Sequence, residues 1–316
     1  MLRNKLRILT WHVHGNYLYY LSHVPHTFYV LTDPDRSPGY AGRAGCLPWG
    51  DNVVEVSLAE VKSTAFDCVL YQSRRGYEQD RLQLLSEAQR NLPRIYLEHD
   101  PPRDNPTDTR HPVNDPGTLL VHVTHFNQLM WDSGSTPSCV VEHGVVLPDG
   151  VHYNGRLARG IAVVNHLARR GRRVGSDIFA AARDQVRLDL VGMESERSGG
   201  LGEIPNDELP AFMAHYRFYF HPLRWTSLGL AAIEAMMIGL PVVGLATTEL
   251  VTVIRNGQSG FVDTDLKRLI EPMRHLLDHP DEAAAMGRVA RREALRRFNI
   301  DRFVADWLSV FRDVTG

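Results

Sequence analysis

The chain has 316 residues, 35 of them Lys or Arg and 37 Asp or Glu, for a formal net charge of −2. At roughly 150 residues per domain this length points to two domains, and the near-neutral balance speaks against a nucleic-acid binder, which carries a basic excess. With 43% hydrophobic and 23% charged residues, the composition is that of a soluble globular protein with a real core rather than a disordered chain.

Lys5, Lys62 and Lys267 are the only lysines, so nearly all positive charge is guanidinium, whose planar fork suits phosphate. Histidine crowds the first half: His12, His14, His23, His26, His99, His111, His122, His125 and His143. Cys46, Cys68 and Cys139 are widely spaced with no CxxC, which predicts reduced thiols and neither a disulfide framework nor a zinc knuckle. Residues 1–11 lack a long apolar region with a cleavage site, and no stretch approaches the roughly 18 apolar residues of a membrane span. A cytoplasmic protein is expected; peripheral contact with the inner face of a membrane is compatible with that.

In chain order, residues 6–11, 27–31, 53–56, 67–71, 94–97, 119–123 and 140–142 read as short strands rich in Val, Ile, Leu and Tyr. Residues 77–90 read as a helix, with Leu82, Leu84, Leu85 and Ala88 near helical spacing. This alternation implies a parallel sheet covered by helices. Residues 100–116 carry five prolines and several Asp, so they form a loop. The loop follows a strand directly, and in open α/β sheets ligands collect at strand carboxyl ends. Residues 147–155 resemble a linker. A second α/β series follows, with strands at 161–165, 188–191, 217–220 and 241–245. Helices are expected at 176–183, 207–215, 228–238, 249–256, 266–277, 281–297 and 301–311. The last carries Phe303, Val304, Trp307, Leu308, Val310 and Phe311, an apolar stripe that must pack on something.

The most informative stretch runs from Phe220 to Glu249: strand, turn, helix, strand. Ser227-Leu228-Gly229 stands where the helix starts, and free N–H groups and the positive dipole end there favour an anion. Glu234 lies about one and a half turns further in, where a carboxylate suits ribose hydroxyls. The plainer alternative is a capped core helix with Glu234 in solvent. Arg169-Arg170-Gly171-Arg172-Arg173 follows the first strand of the second series, either as a phosphate-facing cluster or as a solvated surface run. Gly192 ends a strand, and residues 193–205, with Ser198-Gly-Gly-Leu-Gly202, form a loop suited to holding a base. No GxGxxG joins a strand to a helix, which disfavours a dinucleotide oxidoreductase. Asp33-Pro-Asp35 and Asp263-Thr-Asp265 read as structural turns. His99 and His14 sit at strand carboxyl ends and are the candidate catalytic histidines. His12, His14, His99 and His125 lack a metal-ligand spacing.

Taken together, Gly229-Leu230, Glu234-Ala-Met236, Gly239-Leu-Pro-Val-Val243, Glu249 and Asn256-Gly-Gln-Ser-Gly-Phe261 resemble the donor-site signature of group 1 glycosyltransferases, now family 4, over most of residues 160–312. Tyr96-Leu-Glu-His-Asp100, Val123-Thr-His-Phe-Asn127 and Val141-Glu-His-Gly-Val145 extend the likeness, more weakly, into the first half. The resemblance implies an α/β GT-B fold: two Rossmann-like lobes facing a cleft, with the final helix crossing back to the first. It implies an acceptor lobe over 1–147, a nucleotide-sugar donor lobe over 148–298 and the returning helix over 299–316. The implied reaction is metal-free retaining transfer of a sugar from a nucleoside-diphosphate sugar, with no cofactor beyond that donor and an acceptor glycan, lipid carrier or small molecule. Glu234 takes the place of the ribose-holding glutamate, Arg173 that of the diphosphate lysine, and Arg169 or Arg170 that of the diphosphate arginine. His99 falls near a histidine that touches the donor sugar. Thr226 stands where the family's first glutamate meets the sugar hydroxyls. It brings a hydroxyl but no charge, which leaves a nucleotide-sugar epimerase and a weakly catalytic donor-binding subunit as alternatives.

Overall fold

The structure is a computed structural model that describes residues 5–13 and 15–316. It divides into two compact units, residues 1–144 with 300–316, and residues 145–299. The expected junctions at 147/148 and 298/299 therefore compare with 144/145 and 299/300.

Unit 1 is built on seven strands: β1 (Arg7–Thr10), β2 (Thr27–Thr32), β3 (Val53–Ser57), β4 (Cys68–Tyr71), β5 (Arg94–Glu98), β6 (Thr118–His122) and β7 (Ser138–Val140). They pair in the order β3-β2-β1-β4-β5-β6-β7, every pair parallel. The strand direction of travel reverses between β1 and β4, so their carboxyl ends part and leave a crevice. Leu9, Trp11, Val69, Tyr71, Tyr96 and Leu120 belong to the core on one face.

The last helix, Ile300–Thr315, belongs to this unit. Its stripe of Phe303, Trp307, Val310 and Phe311 is buried. Trp307 donates its indole N–H to Tyr17 at 3.2 Å, and Phe303 meets the Tyr17 ring edge-on at 5.6 Å. Arg302 donates to the carbonyls of Glu142 and His143. The apolar stripe thus finds its partner in the first unit.

Unit 2 holds β8 (Leu157–Val163), β9 (Leu188–Val191), β10 (Tyr216–His221), β11 (Val242–Leu245) and β12 (Gly260–Asp263). The order is β12-β11-β10-β8-β9, again all parallel. Here the reversal falls between β8 and β10. Phe218, Phe220, Leu190 and Val243 pack with Leu269, Met273 and Leu276 of the helix Leu266–Asp278. Asp265 caps that helix through a 3.0 Å bond from the Lys267 N–H, so the Asp263-Thr-Asp265 turn is a capping device.

Some local expectations fail. Residues 77–90 are not one helix. A π-turn over Gly76–Asp80 leads into Arg81–Leu84, the chain extends at Leu85, and a new helix runs Glu87–Arg90. Ser86 and Gln89 form a reciprocal capping box, which starts a fresh helix where the apolar spacing suggested continuity. The strand β12 carries too little periodic signal in four residues and was not expected.

Candidate functional site

The residues expected to bind the donor lie in the loops at the carboxyl edge of the unit 2 sheet and, for Glu234, in the helix that leaves that edge. Arg169 and Arg170 end the short helix Leu167–Arg170 beyond β8, and Arg173 lies in the 3-10 turn Gly171–Val174. Gly192 follows β9 directly. Thr226, Ser227, Leu228 and Gly229 join β10 to the helix Leu230–Ile238, which carries Glu234. The loops beyond β8 and β10 flank the point where the strand order reverses, the place such sheets offer a ligand.

Those two loops are joined into one block. The Arg173 carbonyl accepts the N–H groups of Arg224 at 3.0 Å and Trp225 at 3.1 Å. The Arg224 guanidinium reaches the Arg172 carbonyl at 2.8 Å and both oxygens of Asp177 at 2.6 and 2.8 Å. It holds the Asp177 carboxyl down at about 2. Gly175, at φ +75°, lies against the Pro222 carbonyl, which leaves no space for a side chain. The loop beyond β11 joins in as Thr247 donates to the Leu223 carbonyl at 2.9 Å and Thr248 to that of Ser227 at 3.2 Å.

The arginine run is therefore not a uniform cationic patch. Arg172 is paired with Asp177 at 2.5 Å, Arg170 folds back toward the Asn165 carbonyl at 3.4 Å, and Arg169 is exposed. Arg173 contributes structurally through its carbonyl, a role that residue type alone does not reveal.

Glu234 settles the contest between ligand carboxylate and solvated helix residue in one respect: it is only 3% exposed. The eight other residues of its helix are Leu, Ala, Ile or Met. A carboxylate buried on such a helix is kept by hydrogen bonds or a paired charge. Its charge is felt by the Tyr219 phenol, which burial first and Glu234 second push upward. Gly229 precedes the helix at φ +85°, and the first N–H groups of the helix face outward from this turn. Ser227 and Thr226 are buried beside it.

Backbone strain concentrates on the same edge. His166, Glu194 and Thr248 adopt φ of +56°, +57° and +51°, at the exits of β8, β9 and β11. Left-handed non-glycine residues cost free energy and gather at functional sites. His166 and Glu194 approach at 3.7 Å, while the Met193 N–H donates to Asn165 Oδ1 at 2.9 Å and the His166 N–H to the Met193 carbonyl at 2.7 Å. Gly192, at φ +133°, fits beneath the Val164 carbonyl. The loop after it is knitted around buried Ser195, whose hydroxyl accepts the Gly202 N–H at 2.9 Å. It is more tightly built than its glycines suggest.

His221, at the end of β10, was missed by sequence reasoning. It is 2% exposed, its Nδ1 has no hydrogen-bond partner among the described residues, and burial lowers it to about 4. An unfolded histidine binds its proton near 6.5. Between about 6.5 and 4 the unfolded chain is then the more protonated state, so stability is complete above 6.5 and falls as pH falls. His221→Asn is expected to reduce the stability lost between pH 7 and pH 5 by about 2 kcal/mol. Urea unfolding of both proteins at the two pH values checks this; equal losses would refute it.

The candidate catalytic histidines are His14 and His99. His14 lies outside the described residues. His99 follows β5, donating from Nε2 to Gln72 Oε1 at 3.1 Å. Gln72, 4% exposed, in turn donates to Thr10 Oγ1 and the Trp11 carbonyl, both at 2.9 Å. This chain spans the β1/β4 reversal and fixes the His99 ring, which also meets Tyr17 edge-on at 4.9 Å. Sequence reasoning missed Glu98 and His111 beside it. His111 Nε2 lies 3.1 Å from Glu98 Oε2. His122, by contrast, is buried at the end of β6.

Two open parallel sheets in one chain, with the final helix returning to the first unit, define the GT-B fold of glycosyltransferases. Residues 169–309 match the family described as glycosyl transferase-like. In sequence the chain is 31% identical over 128 residues to an uncharacterized 41.2 kDa protein in the cps region of Klebsiella pneumoniae, covering 40% of this chain and 34% of that one. It is 31% identical over 88 residues to the trehalose synthase of Pyrococcus horikoshii, 28% of this chain and 21% of the enzyme. The chain thus spans about a third or less of the sequence relatives it matches. Among solved structures it is similar to a sucrose-phosphate synthase from Thermosynechococcus elongatus, with a TM-score of 0.71, 15% identity and coverage of 98% and 99% of the two chains. It is also similar to Anabaena Alr3699/HepE in complex with UDP and glucose, with a TM-score of 0.69, 13% identity and coverage of 98% and 100%. Among the described residues no helix is long and apolar enough to cross a membrane.

Proposed function

We propose that the protein is a cytoplasmic, retaining glycosyltransferase of family 4 type that moves a sugar from a nucleoside-diphosphate sugar to an acceptor hydroxyl. Unit 2 binds the donor and unit 1 the acceptor. The observation that carries this reading is the buried carboxylate of Glu234, in a helix that starts at Gly229 on the β8/β10 reversal. Glu234 holds the ribose hydroxyls. The N–H groups after Ser227 and Leu228, with Arg169, Arg170 and Arg173, receive the diphosphate. Gly192 and the loop 193–205 after it receive the base. The complexes of Anabaena Alr3699/HepE with UDP and with UDP-glucose support a donor of this class.

In the reaction the bond from the anomeric carbon to the diphosphate oxygen breaks. A bond from that carbon to the acceptor oxygen forms on the same face, and the hydroxyl proton passes to the departing phosphate oxygen. Guanidinium groups and oriented N–H groups stabilise the charge that develops there, and no step calls on a metal. Thermal-shift measurements with UDP, GDP, dTDP and ADP and their sugars test the assignment, because ligand that binds the native state raises the melting temperature. One base is expected to stand out; no shift with any of them would refute the reading.

Thr226 favours a second reading. It is buried where the resemblance calls for a carboxylate, so the donor sugar meets a hydroxyl without charge. A donor-binding subunit of low activity would then bind nucleotide yet release no sugar with any acceptor, whereas hydrolysis of the donor by the purified protein favours the transferase.

A further inference from the structure

Unit 1 carries an open cavity of about 460 Å³ at the carboxyl ends of β4 and β5, lined in part by the proline-rich segment. That size falls in the range of small-molecule sites, about 300–1,000 Å³. The segment is pinned rather than loose. Trp131 donates its indole N–H to the Asp100 carbonyl at 2.8 Å, and the His111 N–H bonds the Asp132 carbonyl at 2.8 Å.

Glu98 is the fixed polar group of this cavity. One oxygen accepts the Asp100 N–H at 2.9 Å and the other faces His111 Nε2 at 3.1 Å. The His111 side chain is fully buried and its Nδ1 accepts the Val113 N–H at 3.1 Å, which places the ring proton on Nε2, toward Glu98. The ring is wedged edge-on between Tyr96 and Trp131, at 5.0 and 4.9 Å. His111 is therefore a positioning residue. A carboxylate offers about four lone-pair sites; these two bonds use two, and the others suit incoming O–H donors.

The guanidinium groups lining the cavity are matched. Arg74 pairs with Glu78 at 2.8 Å, Arg110 with Asp132 at 3.2 Å, and Arg103 with Asp100. An anionic guest would share these guanidinium groups with carboxylates already paired to them while facing Glu98 and Asp104, which also line the space. A hydroxyl-rich neutral guest meets none of that repulsion, and Tyr96 and Trp131 add aromatic side chains to the lining.

We propose that this cavity takes the acceptor as an uncharged, polyhydroxylated molecule of sugar size, with Glu98 binding its hydroxyls. This rests on the transferase reading above and names the class of its acceptor. Saturation-transfer NMR on the full chain tests it, with methyl α-glucoside and maltose as neutral probes and glucuronate and glycerol 3-phosphate as anionic ones. The neutral probes are expected to bind, and Glu98→Gln to weaken them by about tenfold or more, the worth of a hydrogen bond to a charged group. Because glutamine there sets an NH₂ against a donor, Trp131→Ala, which removes a wall and leaves the carboxylate, is the second variant and is also expected to weaken binding. Arg110→Ala is expected to change neutral binding by less than about threefold, as for an exposed ion pair. Stronger binding of the anions, silence of both neutral probes, or neutral binding unchanged by both Glu98→Gln and Trp131→Ala would overturn the proposal. Nucleotide binding measured on the same samples separates the two readings: if it persists, only the acceptor class falls.

Discussion

Glu234→Gln is expected to weaken nucleoside-diphosphate binding by about 10- to 100-fold, the loss of charge-assisted hydrogen bonds to two adjacent ribose hydroxyls. The shape of the side chain is kept, and the seven residues from Ala232 to Ile238 are all buried, so the helix should hold its place. The nucleotide-induced rise in melting temperature should shrink sharply. Calorimetric titration of both proteins with the preferred nucleotide checks this; equal affinities would remove Glu234 from the site.

Gly175→Val is expected to be the most destabilising single change on this edge. Gly175 combines a left-handed φ of +75° with contact against the Pro222 backbone. The left-handed conformation costs a residue with a Cβ about 1–2 kcal/mol and overpacking a further 1–3 kcal/mol, for a total of about 4 kcal/mol. Relief would require the block formed by Arg173, Arg224 and Trp225 to part, so donor binding should fall with stability. Chemical denaturation and nucleotide titration together check this. Wild-type values in both would show that the two loops are not packed as one unit.

The two readings differ in how openly the sequence displays them. The fold class was legible because each strand–helix step leaves local signals, and because the segment from Phe220 to Leu245 is nearly free of polar residues along its helix. The same apolar setting held a clue to the burial of Glu234, since a helix hydrophobic on all sides has no solvent face to offer a carboxylate. That the last helix packs on the protein was legible from the Phe303, Trp307 and Phe311 stripe; that it packs on the first unit followed only from the family resemblance. The joint between the loops beyond β8 and β10 was not, because it depends on carbonyls and on strand order, and neither is written in residue type. Arg173 illustrates this: its place in a basic run pointed to its side chain and gave no sign that its carbonyl also anchors Arg224 and Trp225. Glu98 and His111 are thirteen residues apart across a proline-rich loop, a separation at which no periodicity operates. In 77–90 a competing local signal, the Ser86–Gln89 capping box, outweighed the apolar spacing.

The central claim is that a nucleoside diphosphate sits on the carboxyl edge of unit 2 between the exits of β8 and β10. Hydrogen–deuterium exchange of the full chain, with and without the nucleotide giving the largest thermal shift, tests it most directly. Protection is predicted in residues 165–176 and 222–234. Protection confined to other segments, with these two unchanged at saturating nucleotide, would contradict it.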